Sequence, residues 1–176
     1  MFKKFAKTAV AVTFLVAGSA QAAVLEFAAL LTGGQETPPN GSTATGSAFV
    51  LFDDITKEFV FNLSFSGLSA PVTVAHVHKA PVGTPGGVEF GIEGKLVDGT
   101  GKVTGIFAGV HILSAAQELA LMAGDLYFNL HTSTFPLGEI RGQILPGSVT
   151  VVPLPGAVLL LGSAFGGLLL TRRRAA

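Results

Sequence analysis

Apolar and polar side chains alternate along the stretch Phe59-Val60-Phe61-Asn62-Leu63-Ser64-Phe65-Ser66. Phenylalanine or leucine stands at every second position, and three of the four residues between them are polar. Because successive side chains of a β-strand point to opposite faces, this period of two predicts a strand with one face in a hydrophobic core.

Similar strand-like stretches surround this one, separated by turns rich in glycine and proline. They cover residues 24–31, 45–52, 72–78, 88–96, 102–108, 125–131 and 138–145. A single short helix is predicted over 115–122, because Ser114 and Gln117 fit a capping box and Gly124 fits a helix end. About eight strands with one helix predict an all-β fold, either an antiparallel β-sandwich or a flattened barrel.

Composition excludes several classes of function. The chain has no cysteine, which rules out disulfides, thiolate metal sites and thiol nucleophiles. Six of the eleven basic residues lie at the two ends, so the part between them holds five basic against eleven acidic residues. That part is acidic, and no basic surface points to nucleic acid as a partner.

The amino terminus has the features of a secretory signal peptide, predicted over residues 1–22. Three lysines precede the apolar run from Thr8 to Ala17, and small residues at Ala20 and Ala22 predict cleavage after Ala22 by signal peptidase. The alternative is an uncleaved anchor, although the run is shorter than the ~20 residues that a membrane span needs.

The carboxyl terminus, 149–176, has a proline motif, an apolar segment and an arginine cluster. The motif is Val152-Pro153-Leu154-Pro155, the apolar segment runs from Gly156 to Leu170, and the cluster is Arg172, Arg173 and Arg174. This order resembles the PEP-CTERM sorting signals of bacteria, in a variant whose motif reads Val-Pro-Leu-Pro-Ala. The resemblance implies that an exosortase-type protease removes the tail in a Gram-negative envelope. A permanent single-span anchor is the alternative. Residues 23–148 between the two signals form the predicted domain.

Two histidines stand two positions apart in the predicted strand over 72–78. His76 and His78 therefore project to the same face and are able to reach one metal ion. Two imidazoles are an incomplete site, since zinc and copper need three or four ligands. The alternative is a pair of histidines that hydrogen-bond the backbone at a strand end.

Two later stretches carry further polar side chains. Tyr127, Asn129 and His131 share one face of a predicted strand. Glu139 and Arg141 share a face of the next, which predicts a carboxylate–guanidinium pair with a structural or binding role. A third interpretation is that Glu139 acts as a general acid together with His131, but the sequence does not show how far apart the two side chains lie.

The motifs together resemble the CHRD domain over about residues 26–146. The resemblance rests on the following segments: Gly67-Leu68, Ala75-His76-Val77-His78, Ala123-Gly124-Asp125-Leu126-Tyr127-Phe128-Asn129-Leu130-His131-Thr132 and Gly138-Glu139-Ile140-Arg141-Gly142-Gln143. It implies an all-β domain of no established biochemical role. Because the family places His76, His78 and His131 in its best-marked motifs, these three are the candidate ligands of one copper or zinc ion. The first His pair also resembles a strand of copper–zinc superoxide dismutases, but the rest of that enzyme's pattern is absent.

Two hypotheses follow from the sequence. The first is an exported, non-enzymatic module of the periplasm, outer envelope or extracellular matrix, with an extracellular polysaccharide or protein as partner and the membrane as anchor of its precursor. The second is an extracellular protein that binds one copper or zinc ion through the histidine cluster. We expect no catalytic residues under the first.

Overall fold

The computed structural model describes residues 23–92, 96–98 and 103–147 of the 176-residue chain. The predicted signal peptide over 1–22 and the predicted sorting signal over 149–176 lie outside the described residues, and so do the hydrophobic helical segments expected at both ends of the chain. In chain order the strands are β1 Val24–Thr32, β2 Thr45–Asp53, β3 Glu58–Ser66, β4 Val72–Lys79, β5 Gly87–Gly91, β6 Leu96–Asp98, β7 Gly105–Ile112, β8 Leu126–Thr132, β9 Ile140–Gln143 and β10 Leu145–Pro146. A 3-10 helix covers Gly33–Gln35, and helix α1 covers Ala115–Ala123.

All described strand pairs are antiparallel, and they form one continuous sheet in the order β5-β4-β8-β9-β1-β2-β3-β7-β6, with β10 paired to β1. The contacts of Phe59 in β3 show that the sheet curls. The centroid of its ring lies 5.7 Å from that of Phe90 in β5 and 6.3 Å from that of Phe128 in β8. Strands far apart in the sheet order therefore face each other across one core. The predicted all-β class is confirmed.

Strand β3 shows why these residues adopt this fold. Phe59, Phe61, Leu63 and Phe65 are all buried, and the residues between them lie on the solvent side.

The turn before β3 is held by Asp53, whose carboxylate accepts hydrogen bonds of 2.8 Å from the backbone N–H groups of Ile55 and Thr56. Those two bonds lower the pKa of Asp53 and favour the turn conformation over an extended chain.

Helix α1 begins and ends where the sequence predicts. The hydroxyl of Ser114 accepts from the N–H of Gln117, and the side chain of Gln117 accepts from the N–H of Ser114. Gly124 closes the helix with a φ of 74°, in the left-handed region that favours glycine. Both ends of the helix therefore have their backbone groups satisfied locally.

The prediction of a single strand over 88–96 is wrong. The strand that pairs with β4 ends at Gly91, and Leu96 belongs to β6, which pairs with β7 at the opposite edge of the sheet. Ile92 is fully buried and donates its N–H to the oxygen of Ala75, one residue beyond the end of β5. The predicted strand over 102–108 lies at Gly105–Ile112 in the structure, and the one over 138–145 is divided into β9 and β10.

Candidate metal centre

Strands β4 and β8 are neighbours in the sheet and bring three histidines to one face. In their register His76 pairs with Asn129, and Val74 pairs with His131. The alternate residues of both strands, Ala75, Val77, Phe128 and Leu130, are buried in the core. Core packing therefore fixes the orientation of both strands and directs the imidazoles to the other side.

The three imidazoles surround one point. The ring of His76 lies 5.4 Å from that of His78 and 5.4 Å from that of His131, and the last two are 5.8 Å apart, measured between centroids. One ring nitrogen from each residue lies within 4.8 Å of the other two. Nitrogens bound to a shared ion at about 2 Å are separated by up to about 4 Å, so the spacing of these three nitrogens is close to what one ion requires.

Backbone carbonyls determine which nitrogen of two of these rings carries the proton. Nδ1 of His78 lies 3.0 Å from the oxygen of Gly86, and Nδ1 of His131 lies 3.1 Å from the oxygen of Pro136. A carbonyl oxygen only accepts, so both Nδ1 atoms donate, and a neutral ring then presents its lone pair at Nε2. This is the arrangement that orients histidine as a metal ligand.

Burial keeps the lone pair of His78 available. His78 and His131 are each 8% exposed, whereas His76 is half-buried. Desolvation lowers the pKa of His78, and the positive charge of Arg141 acts in the same direction. Nε2 of His78 is buried and accepts no hydrogen bond from the described residues. A cation at this point would supply the missing partner.

Glu36, which the sequence did not single out, lies beside the cluster's strand. It is 6% exposed, and its pKa is raised to about 7, chiefly by burial, while Arg141 and a hydrogen bond from Asn129 oppose the shift. A side chain on Gly138, whose φ is 136°, would collide with Asn129 and Glu36. No local motif marks Glu36, because the segment that follows β1 carries it over the outer face of β8.

Glu139 and Arg141 do not pair with each other, so that prediction is wrong. Among the described residues the ion pair formed is between Lys57 and Glu118. The carboxylate of Glu139 accepts instead from Ser42, Ser69 and Thr132. Glu139 precedes the first residue of β9 and follows the turn at Gly138, so the alternation of the strand does not extend to it.

Arg141 has a different set of contacts, all on the outer face of β9. Its guanidinium carbon lies 3.5 Å from the centroid of the Tyr127 ring. It also donates to Thr37, Pro81, Thr84 and Gln143. At 2% exposure, this cation is solvated by protein carbonyls and an aromatic face rather than by water.

Two clefts adjoin at Glu36 and Thr37. One, of about 310 Å³, is lined by residues that include Val82, Arg141 and Gln143. The other, of about 240 Å³, is lined by residues that include three prolines and Phe135. Neither is lined by a histidine of the cluster.

The family model of the CHRD domain matches residues 27–144. The chain belongs to the CHRD family. No curated protein and no solved structure matches it significantly. This CHRD domain carries the histidine cluster and the Glu139 and Arg141 networks within the matched range. In the part of the chain that the structure describes, no helix combines the length and apolar character that crossing a membrane requires.

Proposed function

We propose that this protein is an exported CHRD module that holds one copper or zinc ion through His76, His78 and His131. The observation that carries the proposal is the convergence of three imidazoles from two neighbouring strands, with ligand nitrogens within 4.8 Å of one another. In two of the three imidazoles Nδ1 is bound to a backbone carbonyl, which leaves Nε2 as the ligand atom that faces the cluster.

The ligand chemistry selects a borderline transition metal. Imidazole nitrogen suits zinc and copper, whereas magnesium and calcium prefer oxygen ligands. Three neutral histidines leave a fourth position for water or another ligand on zinc. His76, the more exposed of the three, marks the side from which solvent reaches the ion.

The proposal assigns the ion a binding or structural role and no reaction. The carboxylate of Glu139 accepts hydrogen bonds from the hydroxyl groups of Ser42, Ser69 and Thr132. Because its oxygens already accept four hydrogen bonds, it is poorly placed to exchange a proton with His131.

Metal analysis of the purified full-length chain tests the proposal. We expect one equivalent of Zn(II) or of copper per chain after loading and desalting, and loss of the metal in His76→Ala. The matched control is His111→Gln, since His111 stacks on Phe90 with centroids 3.8 Å apart and lies outside the cluster. A wild-type chain that retains neither ion, or a His76→Ala chain that retains it equally, contradicts the proposal.

Export and sorting form the second part of the proposal. The support is the signal-like segment over 1–22, the proline motif with its arginine cluster over 152–174, and membership in a family of extracellular-type modules. The proposed processing partners are signal peptidase and an exosortase-type protease. An extracellular polysaccharide or protein is the proposed partner of the mature module in the periplasm, outer envelope or matrix.

Cell fractionation with mass spectrometry of the mature chain tests this part. We expect a chain in the envelope or medium that begins at Ala23 and ends near Pro155. A peptide that continues through Leu170 would show a retained anchor. A cytoplasmic chain with both ends intact would overturn the proposed export.

A further inference from the structure

Two buried side chains of β9 hold the loop between β4 and β5, residues 80–86. Nη1 of Arg141 donates to the oxygen of Thr84 at 2.7 Å, and Nη2 donates to the oxygen of Pro81 at 3.2 Å. Nε2 of Gln143 donates to the oxygen of Ala80 at 2.9 Å. Arg141 and Gln143 thus bind three carbonyls of this short loop. Their strand, β9, pairs with neither β4 nor β5.

The same loop carries the carbonyl that orients His78. The oxygen of Gly86 accepts from Nδ1 of His78 at 3.0 Å, and the N–H of Gly86 donates to the hydroxyl of Tyr127 at 2.9 Å. The loop returns tightly onto β4 here, since a Cβ on Gly86 would collide with the carbonyl of Lys79. The position of the Gly86 carbonyl is therefore set by the whole loop rather than by Gly86 alone.

A second route joins Arg141 to His78 through the ring of Tyr127. The His78 imidazole stacks on that ring with centroids 5.1 Å apart and planes 13° apart. The guanidinium of Arg141 lies over the ring at 3.5 Å. The strand order β4-β8-β9 places the three groups in this sequence across the sheet.

We propose that Arg141 is a positioning residue of the metal centre: it sets the orientation and tautomer of His78 through the 80–86 loop and Tyr127, without contact to the ion. The inference rests on the proposed metal site and adds the group that controls its affinity. A planar guanidinium fits this place, because it donates to two carbonyls in a fixed fork while its flat face stacks on an aromatic ring, and a lysine ammonium has neither the fork nor the flat face. Coupling of this kind is reciprocal, so a bound ion should also reduce opening of the 80–86 loop.

The experiment compares Arg141→Lys with Phe107→Leu in the full-length chain. Phe107 stacks on Phe65, away from the histidines, so its truncation lowers stability without touching the route to His78. Zn(II) and Cu(II) are titrated separately against a chromophoric chelator, and the folded fraction is measured alongside. We expect Arg141→Lys to weaken metal binding about 10- to 100-fold, and Phe107→Leu to leave it unchanged. The Nδ1–H signal of His78 in ¹⁵N NMR should weaken only in Arg141→Lys.

The outcomes separate the two proposals. If the wild-type chain binds neither ion, the metal site itself is refuted. If the wild type binds and Arg141→Lys binds equally well, the metal site stands and the positioning role is overturned. Should Arg141→Lys fail to fold, Tyr127→Phe decides, because it removes the acceptor of the Gly86 N–H and keeps the ring. We expect an affinity loss of about threefold or more there, and unchanged affinity would overturn the role.

Discussion

The hydroxyl of Thr132 donates a 2.6 Å hydrogen bond to Oε2 of Glu139, and the carboxylate is fully buried. Ser69 donates to the same carboxylate through its N–H at 2.7 Å and its hydroxyl at 2.8 Å, and Ser42 adds a fourth bond. Three segments that are far apart in sequence therefore meet on one negative charge. The charge is held by hydrogen-bond donors rather than by a counter-ion.

Replacing this carboxylate should destabilise the domain. Glu139→Gln presents an amide N–H₂ to hydroxyl and N–H donors, and we expect it to cost about 3 kcal/mol in the free energy of unfolding. Urea denaturation at pH 7 measures the change. Glu58→Gln, at an exposed position of β3, is the control and should stay within about 0.5 kcal/mol of wild type. Equal effects of the two substitutions would contradict the prediction.

Glu139 also predicts a dependence of stability on acid. Burial raises its pKa, but the hydrogen bonds from Thr132, Ser69 and Ser42 together lower it below the usual value. A carboxyl with a lowered pKa in the folded state contributes stability that is present above the unfolded pKa of about 4.3 and is lost as the pH falls through the folded value. Wild type should therefore be more stable than Glu139→Gln above about pH 4.3. The two should approach each other in stability only when the pH falls below the pKa of Glu139 in the folded protein.

The closed core predicts that two phenylalanines on neighbouring strands respond differently to truncation. Phe59 is fully buried and contacts the rings of Phe61, Phe90 and Phe128, whereas Phe49 is 49% exposed. Phe59→Ala removes an aromatic ring from a packed site and should cost about 3–5 kcal/mol. Phe49→Ala should cost less than about 1 kcal/mol. Thermal unfolding of both variants checks the difference, and similar losses would mean that the sheet does not curl over Phe59.

Local patterns were sufficient to predict much of this fold. The alternation along β3 identified its buried face, and Ser114 with Gln117 and Gly124 identified the helix and both of its ends. The period of a strand and the capping residues of a helix are both patterns among residues close in sequence, which a sequence displays directly. The strand over 88–96 was mispredicted because its two ends pair with different strands, Gly91 with β4 and Leu96 with β7. The sequence does not show that these two strands lie in separate parts of the sheet.

The candidate site divides in the same way. That His76 and His78 share a face follows from the period of a strand. His131 joins them because β8 pairs with β4 in the sheet, and the spacing of residues along the sequence does not reveal which strands pair. The family resemblance supplied His131, and the register explains why it lies there. Glu36 had neither signal, because it is buried beside Asn129, Gly138 and Arg141, which are about a hundred residues away in the sequence.

Glu36 predicts a stability change of opposite sign to that of Glu139. Its pKa is raised to about 7 by burial, against the opposing effects of Arg141 and Asn129. The stability contributed by the protonated carboxyl is present below the unfolded pKa of about 4.3 and is lost as the pH rises through about 7. Glu36→Gln, which is always neutral, should be more stable than wild type at pH 8 by about 3 kcal/mol and nearly equal at pH 4. Denaturation curves at both pH values decide. A variant that is less stable than wild type at pH 8 would show that the ionised carboxylate is needed by Arg141.

The histidine cluster predicts acid sensitivity of the metal-free chain. Burial lowers the pKa of His78, with Arg141 and His76 adding to the effect and the bond to Gly86 opposing it. The neutral imidazole therefore contributes stability that is present above the unfolded pKa of about 6.5 and is lost as the pH falls through the lower folded value. In the presence of a chelator we expect the unfolding temperature of wild type to fall on acidification from pH 7 to pH 5. His78→Gln, which cannot be protonated, should show a smaller fall over the same range. If His78→Gln loses as much stability on acidification as wild type does, the buried neutral imidazole of His78 is not the source of the sensitivity.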